Sequence, residues 1–510
     1  MIAYLSPNSN PLDLLQVGAA LLPILAIFWA LVFAKWKGYQ ASLFALAIAC
    51  IIAYTVFHAS SKTIAISSIS GMLYGLFPIS WIVINALFLF NLSVESGQFK
   101  QIKQYIASIT PDPRLQLLLV AFSFGAFLEG TAGYGAPVAI TAAMLVGLGF
   151  QPLQAAGLCL IANTAPVAFG AVGIPITVLA TISGLPEMAI SQTVGRTLPF
   201  LSLMMPMYLV LIFAGRKRMW EVLPALLISG GSFALLQWFS ANYIGPTLPD
   251  IIAGLGSLFA LWFFLRARRP IKEKEEMQKG LGRAFMPFIF LTVFIILWGI
   301  PSLKQHLDQW GQAKINFGSK EIMLSYLSTP GTAILLASLL SIPFTGCSYR
   351  QVLNIYKTTC QQLRYAILTI AAIMAFAYLL NDSGITFTLA LALANTGIFY
   401  PFFAPILGWL GVFVTGSDTS SNALFGKLQY ETASRIGLNP LTMVAANASG
   451  GVLGKMISPQ SIAVAAAGGG LIGKESQLLR YTLKHSFILL AIICLIVMLQ
   501  TYLFNDMIPN

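Results

Sequence analysis

The feature that most constrains this chain is the recurrence, from end to end, of apolar runs of bilayer-spanning length with few ionisable residues inside them. A helix needs about 20 mostly apolar residues to cross the hydrocarbon core. The hydropathy marks twelve such runs, near residues 12–34, 39–57, 70–95, 153–180, 188–213, 221–239, 248–265, 284–300, 329–345, 364–381, 441–467 and 483–503. Only 9% of the residues are charged and 57% are hydrophobic, whereas soluble domains carry roughly 25% charged residues. No polar linker interrupts the runs, so the chain reads as one all-α integral membrane domain. The run from Leu14 to Ala34 follows no basic, cleavable leader and is expected to remain as a span.

A net charge of +12 does not signal nucleic acid here, because the Lys and Arg residues cluster in short loops, where they set topology. With the N-terminus outside, the cytoplasmic loops collect Lys35, Lys37, Lys100, Lys103, Arg216, Lys217, Arg218, the run Arg266 to Arg283, Arg350, Lys357, Lys474 and Arg480. The external side keeps little beyond Lys62, Lys304, Lys314 and Lys320, which predicts that both termini lie outside. Five scattered cysteines show no metal-ligand spacing, so neither a metal nor a cofactor is expected.

Two further apolar stretches, 113–149 and 399–435, are broken near the middle by Gly, Ser and Thr. They read as re-entrant hairpins, tolerable at membrane depth only when buried in protein or facing water. The second half also echoes the first. Ser96-Gly97 recurs as Ser383-Gly384, and Gly125-Ala-Phe-Leu-Glu-Gly130 as Gly411-Val-Phe-Val-Thr-Gly416. Gly149-Phe-Gln-Pro152 recurs as Gly437-Leu-Asn-Pro440, and Ala162-Asn163 as Ala446-Asn447. The displacements, 287, 286, 288 and 284, are nearly constant. The predicted organisation is a first repeat over 1–265, a basic cytoplasmic loop over 266–283 and a second repeat over 284–510. The spans before the two hairpins run in opposite directions, so the repeats are inverted. Inverted repeats with broken helices meeting at the midplane are the architecture of alternating-access transporters.

Polar residues inside apolar territory fall at matching places in the halves. Hairpin one turns at Glu129, Gly130, Thr131, Gly133 and Tyr134, and the span after it is interrupted at Asn163, Thr164 and Pro166. Hairpin two turns at Ser417, Asp418, Thr419, Ser420, Ser421 and Asn422. Its following span is expected to break twice, at Asn447, Ser449 and Gly450, and at Lys455, Ser458 and Gln460. Each break exposes a half-helix N-terminus whose N–H groups favour an anion, while hydroxyls and amides supply orienting hydrogen bonds. The competing reading is close helix packing by small residues. Glu129 and Asp418 are candidate proton-coupling carboxylates, because burial makes a neutral acid accessible. Lys455, with Arg196 as alternative, is the candidate partner of a substrate carboxylate. A structural pair such as Asp418 with Lys455 is the rival account. Glu95 and Asp382 read as interfacial, His58 and His306 as external, and His485 as a relay candidate near a span end. No Walker loop, HExxH or Ser/His/Asp arrangement is present, so ATP-driven pumping and proteolysis have no support.

On these same segments the chain resembles the lactate permease family: Gly125 to Ile140, Gly416 to Phe425 and Ala446 to Ala463, flanked by Gly408-Trp-Leu-Gly411 and His485-Ser486. The resemblance covers nearly the whole chain. It implies a multi-pass bacterial plasma (inner) membrane symporter, not an enzyme, that moves lactate and often glycolate with protons. Its partners would be a small monocarboxylate, protons and membrane lipid; a homodimer is left open. Thr131 and Tyr134 depart from the expected Ala and Phe. A sodium-coupled carboxylate transporter on the same fold and an anion channel are the alternatives.

Overall fold

The computed structural model describes residues 14–131, 133, 136–268, 280–298, 300–316, 321–471, 474–504 and 508. Tyr134 and most of the basic loop, 269–279, lie outside the described residues. Among the described residues, ten helices are long and apolar enough to cross a membrane. An eleventh crossing is a bent pair, Pro152–Ala162 with Val167–Ser183, at 64°. Shorter apolar helices, among them Pro330–Thr345 and Ile385–Ala394, complete the bundle. The departure from all-helical structure is a two-stranded antiparallel sheet, Gln312–Asn316 with Glu321–Ser325, in a polar loop.

Each of the two interrupted stretches is a pair of helical arms. The first rises through Pro113–Leu117, a π-helical turn Leu118–Phe124 and Gly125–Thr131, and returns as Ala136–Gly147. The second rises as Tyr400–Thr415 and returns as Asp418–Arg435. The rising arm of the second is itself long and apolar enough to qualify as a crossing.

The helices that follow are stopped by local chemistry. The residue before a proline is pushed out of the α region, and Pro166 and Pro459 fall where the two broken helices stop. The first resumes through the 3-10 turn Val167–Phe169 and three left-handed residues, Ala171, Val172 and Gly173. The left-handed region is costly for a β-branched residue such as Val172. The second runs unbroken as Pro440–Lys455 and resumes as Pro459–Gly468 behind an N-cap from Ser458.

This corrects one expectation: Asn447, Ser449 and Gly450 lie in regular helix, and only Met456–Ser458 interrupts it. Nothing at 447–451 removes a backbone donor, and the small residues serve close approach instead. A Cβ at Gly450 would overlap the carbonyl of Pro405, and one at Gly408 that of Asn447. The small-residue packing account therefore wins there.

The two halves cross over. The return arm of hairpin one packs on Pro459–Gly468, and the return arm of hairpin two packs on Gly170–Ser183. Gly97 and Gly384 each precede a helix and both have left-handed φ, +77° and +86°. Pro152 and Pro440 take the first position of the two broken helices, where a missing N–H costs nothing.

Candidate functional site

The crossover brings three interruptions to one place: the tip of hairpin one, the tip of hairpin two and the break after Lys455. Around them is a cavity of about 780 Å³, in the range of small-molecule sites. Its wall includes Glu129, Gly133, Ser417, Asp418, Thr419, Ser420, Lys455, Gln460 and Ser461. Two helix N-termini meet there. Ser417 caps the helix from Asp418 by accepting from the Ser420 N–H at 3.3 Å, and Ser458 caps the helix from Pro459 by accepting from the Ser461 N–H at 3.2 Å. Such ends present positive partial charge and free N–H groups to an anion.

Glu129 is 2% exposed and fully engaged. Its Oε2 accepts from Asn163 Nδ2 at 3.0 Å, and its Oε1 accepts from Lys455 Nζ in a buried salt bridge. The fold makes room for this carboxyl at Gly170, where a Cβ would lie 2.8 Å from Oε1. Lys455 sits in the last turn of its helix, where the macrodipole favours a cation. The pairing differs from the Asp418–Lys455 bridge weighed from the sequence.

Asp418, 3% exposed, has one weak contact. Its Oδ2 accepts from Asn422 Nδ2 at 3.3 Å, and its Oδ1 has no partner among the described residues. Asn422 is held in turn by Pro175 O (3.0 Å) and Asn447 Nδ2 (2.9 Å), and Gln429 donates to Asn447 Oδ1 at 3.2 Å. Asn422 and Asn447 thus form a network behind the cavity that ties hairpin two to both broken helices.

Other candidates are structural in their contacts. Thr131 donates to Phe127 O and Leu128 O at 3.1 and 3.2 Å, Thr164 to Ile161 O at 2.7 Å, and Ser421 to Gly408 O at 3.0 Å. Gly130 packs on Asp250, Gly450 on Pro405, and Ser449 is buried away from the cavity wall. Ser458 donates to Lys455 O at 3.1 Å and so holds the break itself. Arg196 donates to Asn242 Oδ1 at 2.8 Å and is not part of the wall. His485 bonds Tyr208 through Nδ1 at 2.7 Å, also off the wall.

Sequence reasoning missed two features. The cavity runs out to Lys35, Trp36, Lys37 and Tyr39, which place two exposed lysines at its mouth; in the sequence these lysines signal only orientation. Asp250 is buried beside the Glu129 tip. Its signal was an acid inside an apolar run, masked by its place at the run's edge.

The arrangement suits a small anion: one buried ammonium, two helix N-termini, a ring of hydroxyls, and acids able to bind protons. The comparisons agree in kind. Residues 17–504 match the family model described as L-lactate permease. An L-lactate permease of Bacillus subtilis (strain 168) is 48% identical over 97% of this chain and 98% of its own length. An L-lactate permease of Escherichia coli (strain K12) is 46% identical, and the glycolate permease GlcA of the same strain 45%, each over 96% of both chains. With bacterial relatives and ten membrane-length helices, this is a multi-pass protein of the bacterial plasma membrane. The chain belongs to the L-lactate permease family.

Proposed function

We propose that the protein is a proton-coupled symporter of lactate and related 2-hydroxy-monocarboxylates, glycolate included, working by alternating access between two inverted repeats. The observation that carries this reading is the buried Lys455–Glu129 pair on the wall of a hydroxyl-lined cavity that also holds Asp418. The names of the relatives supply the substrate class.

The pair gives coupling a simple logic. Without substrate, Lys455 is neutralised by Glu129. A substrate carboxylate takes the ammonium only when a proton neutralises Glu129, since a buried unpaired carboxylate costs several kcal/mol. Proton and anion therefore enter together, and Lys455 keeps one anionic partner at every stage. Ser417, Thr419, Ser420 and Gln460 are placed to bind the second carboxylate oxygen and the 2-hydroxyl. Asp418, with an oxygen free, is the further proton-binding group. The matched left-handed glycines and crossed hairpin packing support the inverted repeat. The cavity reaches the Lys35–Lys37 turn, which the charge bias assigns to the cytoplasm, so this conformation reads as inward-facing.

Uptake into proteoliposomes, driven by a pH gradient alone and then by a sodium gradient alone, tests the reading. Lactate should accumulate with the first and not the second. Accumulation with sodium alone would replace proton coupling by sodium coupling, and conductance without accumulation would make the protein a channel.

A further inference from the structure

Asp250 stands in the first turn of the helix Pro249–Arg268, 1% exposed, and neither carboxyl oxygen has a hydrogen-bond partner among the described residues. Gln237 lies nearby, with its amide donating to Ala165 O at 3.1 Å and its carbonyl accepting from Ser202 Oγ at 2.7 Å. Asp250 packs against the hairpin-one tip: a Cβ on Gly130 would sit 2.8 Å from its own Cβ. Gly130 follows Glu129 directly, and Asp250 feels the charges of both Glu129 and Lys455. It does not line the cavity.

Charge and position both give this group a role. Among the described residues, the buried acids are Glu129, Asp250 and Asp418, against one buried lysine, Lys455. Lys455 is already paired with Glu129, so Asp250 has no counter-charge left, and an isolated carboxylate at that depth is too costly to persist. The helix N-terminus on which it stands still lowers the cost of a brief ionisation. The elements packed most closely on this helix are Leu223–Tyr243, Leu118–Phe124 and Gly125–Thr131, and Glu129 is the one charged residue they contribute. Arg266 and Arg268 are at the far end of its own helix.

Asp250 follows the turn 244–248, whose Pro246 carbonyl abuts the left-handed Gly173 of the first broken helix. Five crossings separate that turn from the Lys35–Lys37 turn at the cavity mouth: Gly38–Thr55, Ser61–Glu95, the bent pair, Glu187–Glu221 and Leu223–Tyr243. On the re-entrant reading of hairpin one, that odd number puts the two turns on opposite faces of the membrane. The cavity reaches the Glu129 tip from one side and Asp250 touches it from the other.

We propose that Asp250 is a third proton-binding carboxyl, which exchanges the coupling proton with Glu129 on the side away from the cavity. In the transfer, the Asp250 acid gives its proton to the Glu129 carboxylate, and water on the opposite face restores a proton to Asp250. Lys455 released from Glu129 is then free for substrate. This rests on the proton-coupled reading above.

The test separates net transport from exchange. Lactate–lactate exchange across proteoliposomes moves no net proton, while accumulation driven by a pH gradient does. Asp250→Asn keeps the shape of the acid and cannot pass a proton; Asp250→Ser is a smaller variant that also fits. In both, exchange should stay within about threefold of wild type and pH-driven accumulation should fall more than tenfold. Accumulation at wild-type level overturns the proposal, as does loss of exchange together with accumulation in both variants, which would make Asp250 part of the scaffold. Wild-type protein that fails to accumulate lactate in a pH gradient, whatever the variants do, sinks the proton-coupled reading itself and this proposal with it.

Discussion

The tips of the two hairpins bury one carboxyl each to the same degree, Glu129 at 2% and Asp418 at 3% exposure. They differ in what holds them. Glu129 has a partner on each oxygen, an amide from the bend of its own broken helix and an ammonium from the break of the other. Asp418 has one long bond to a residue a single turn ahead on its own helix, and one oxygen with no partner. An internal echo in sequence thus does not carry an echo in chemistry. Hairpin one is latched to the opposite half, and hairpin two offers an acid to the cavity.

The comparison breaks most easily at Lys455. Removing one partner of a buried pair costs about 3–5 kcal/mol, so Lys455→Gln should lower thermal stability far more than Asp418→Asn, which keeps the Asn422 contact in shape. It should also weaken lactate binding by about 1.5–3 kcal/mol, or about ten- to a hundredfold, while an uncharged lactamide analogue is much less affected. Calorimetric titration reads both. Equal melting shifts in the two variants would erase the distinction between latched and free tips.

Next in size, Asp418→Asn should abolish pH-driven accumulation while changing stability by less than about 1 kcal/mol. Wild-type accumulation would remove Asp418 from coupling. A labelling experiment sharpens the same contrast. Thr419 lines the cavity, and Thr131 is buried with its hydroxyl spent on its own helix. In a cysteine-free background, Thr419→Cys should react with a small impermeant thiol reagent from the side of the Lys35–Lys37 turn at least about tenfold faster than Thr131→Cys.

The smallest effects lie away from the tips. Arg114, at the foot of hairpin one, bonds Asp112 at 2.8 Å and Glu221 at 2.6 Å; hairpin two carries Lys427–Glu431 at 3.2 Å on one helix face. Partly exposed pairs contribute about 0–1 kcal/mol, so Arg114→Gln should cost less than about 1 kcal/mol and Lys427→Gln a few tenths. Burial alone would push the Asp112 carboxyl up, but the hydrogen bonds and charge of Arg114 outweigh it and hold the group below the ordinary carboxylate range. Its stabilisation is therefore present at neutral pH and disappears as the pH falls through and below that range. The cost of Arg114→Gln should shrink on acidification.

The hairpins and the first broken helix were legible in the sequence because Gly, Pro and polar residues interrupt long apolar runs, and lipid punishes such interruptions. The second broken helix was misread at 447–451 for the same reason. Gly, Ser and Ala permit a break and also permit close packing, and only Pro459 compels an ending. Glu129, Asp418 and Lys455 stood out as charges at membrane depth. Which acid takes the lysine was not legible, since partner choice depends on a crossover between halves that sequence spacing does not encode. Asp250 was hidden by its position at the margin of an apolar run, where a carboxylate ordinarily meets water.

The most direct test of the central claim, that proton and substrate together replace the Lys455–Glu129 pair, is the pH dependence of lactate affinity in Glu129→Gln. Wild-type protein should bind lactate more tightly as the pH falls, because each bound anion requires a proton. Glutamine mimics the protonated acid and leaves Lys455 free, so the variant should bind at least as tightly as wild type at neutral pH, with affinity nearly flat in pH. A folded variant that keeps the wild-type pH dependence, or that loses lactate binding, would contradict the account.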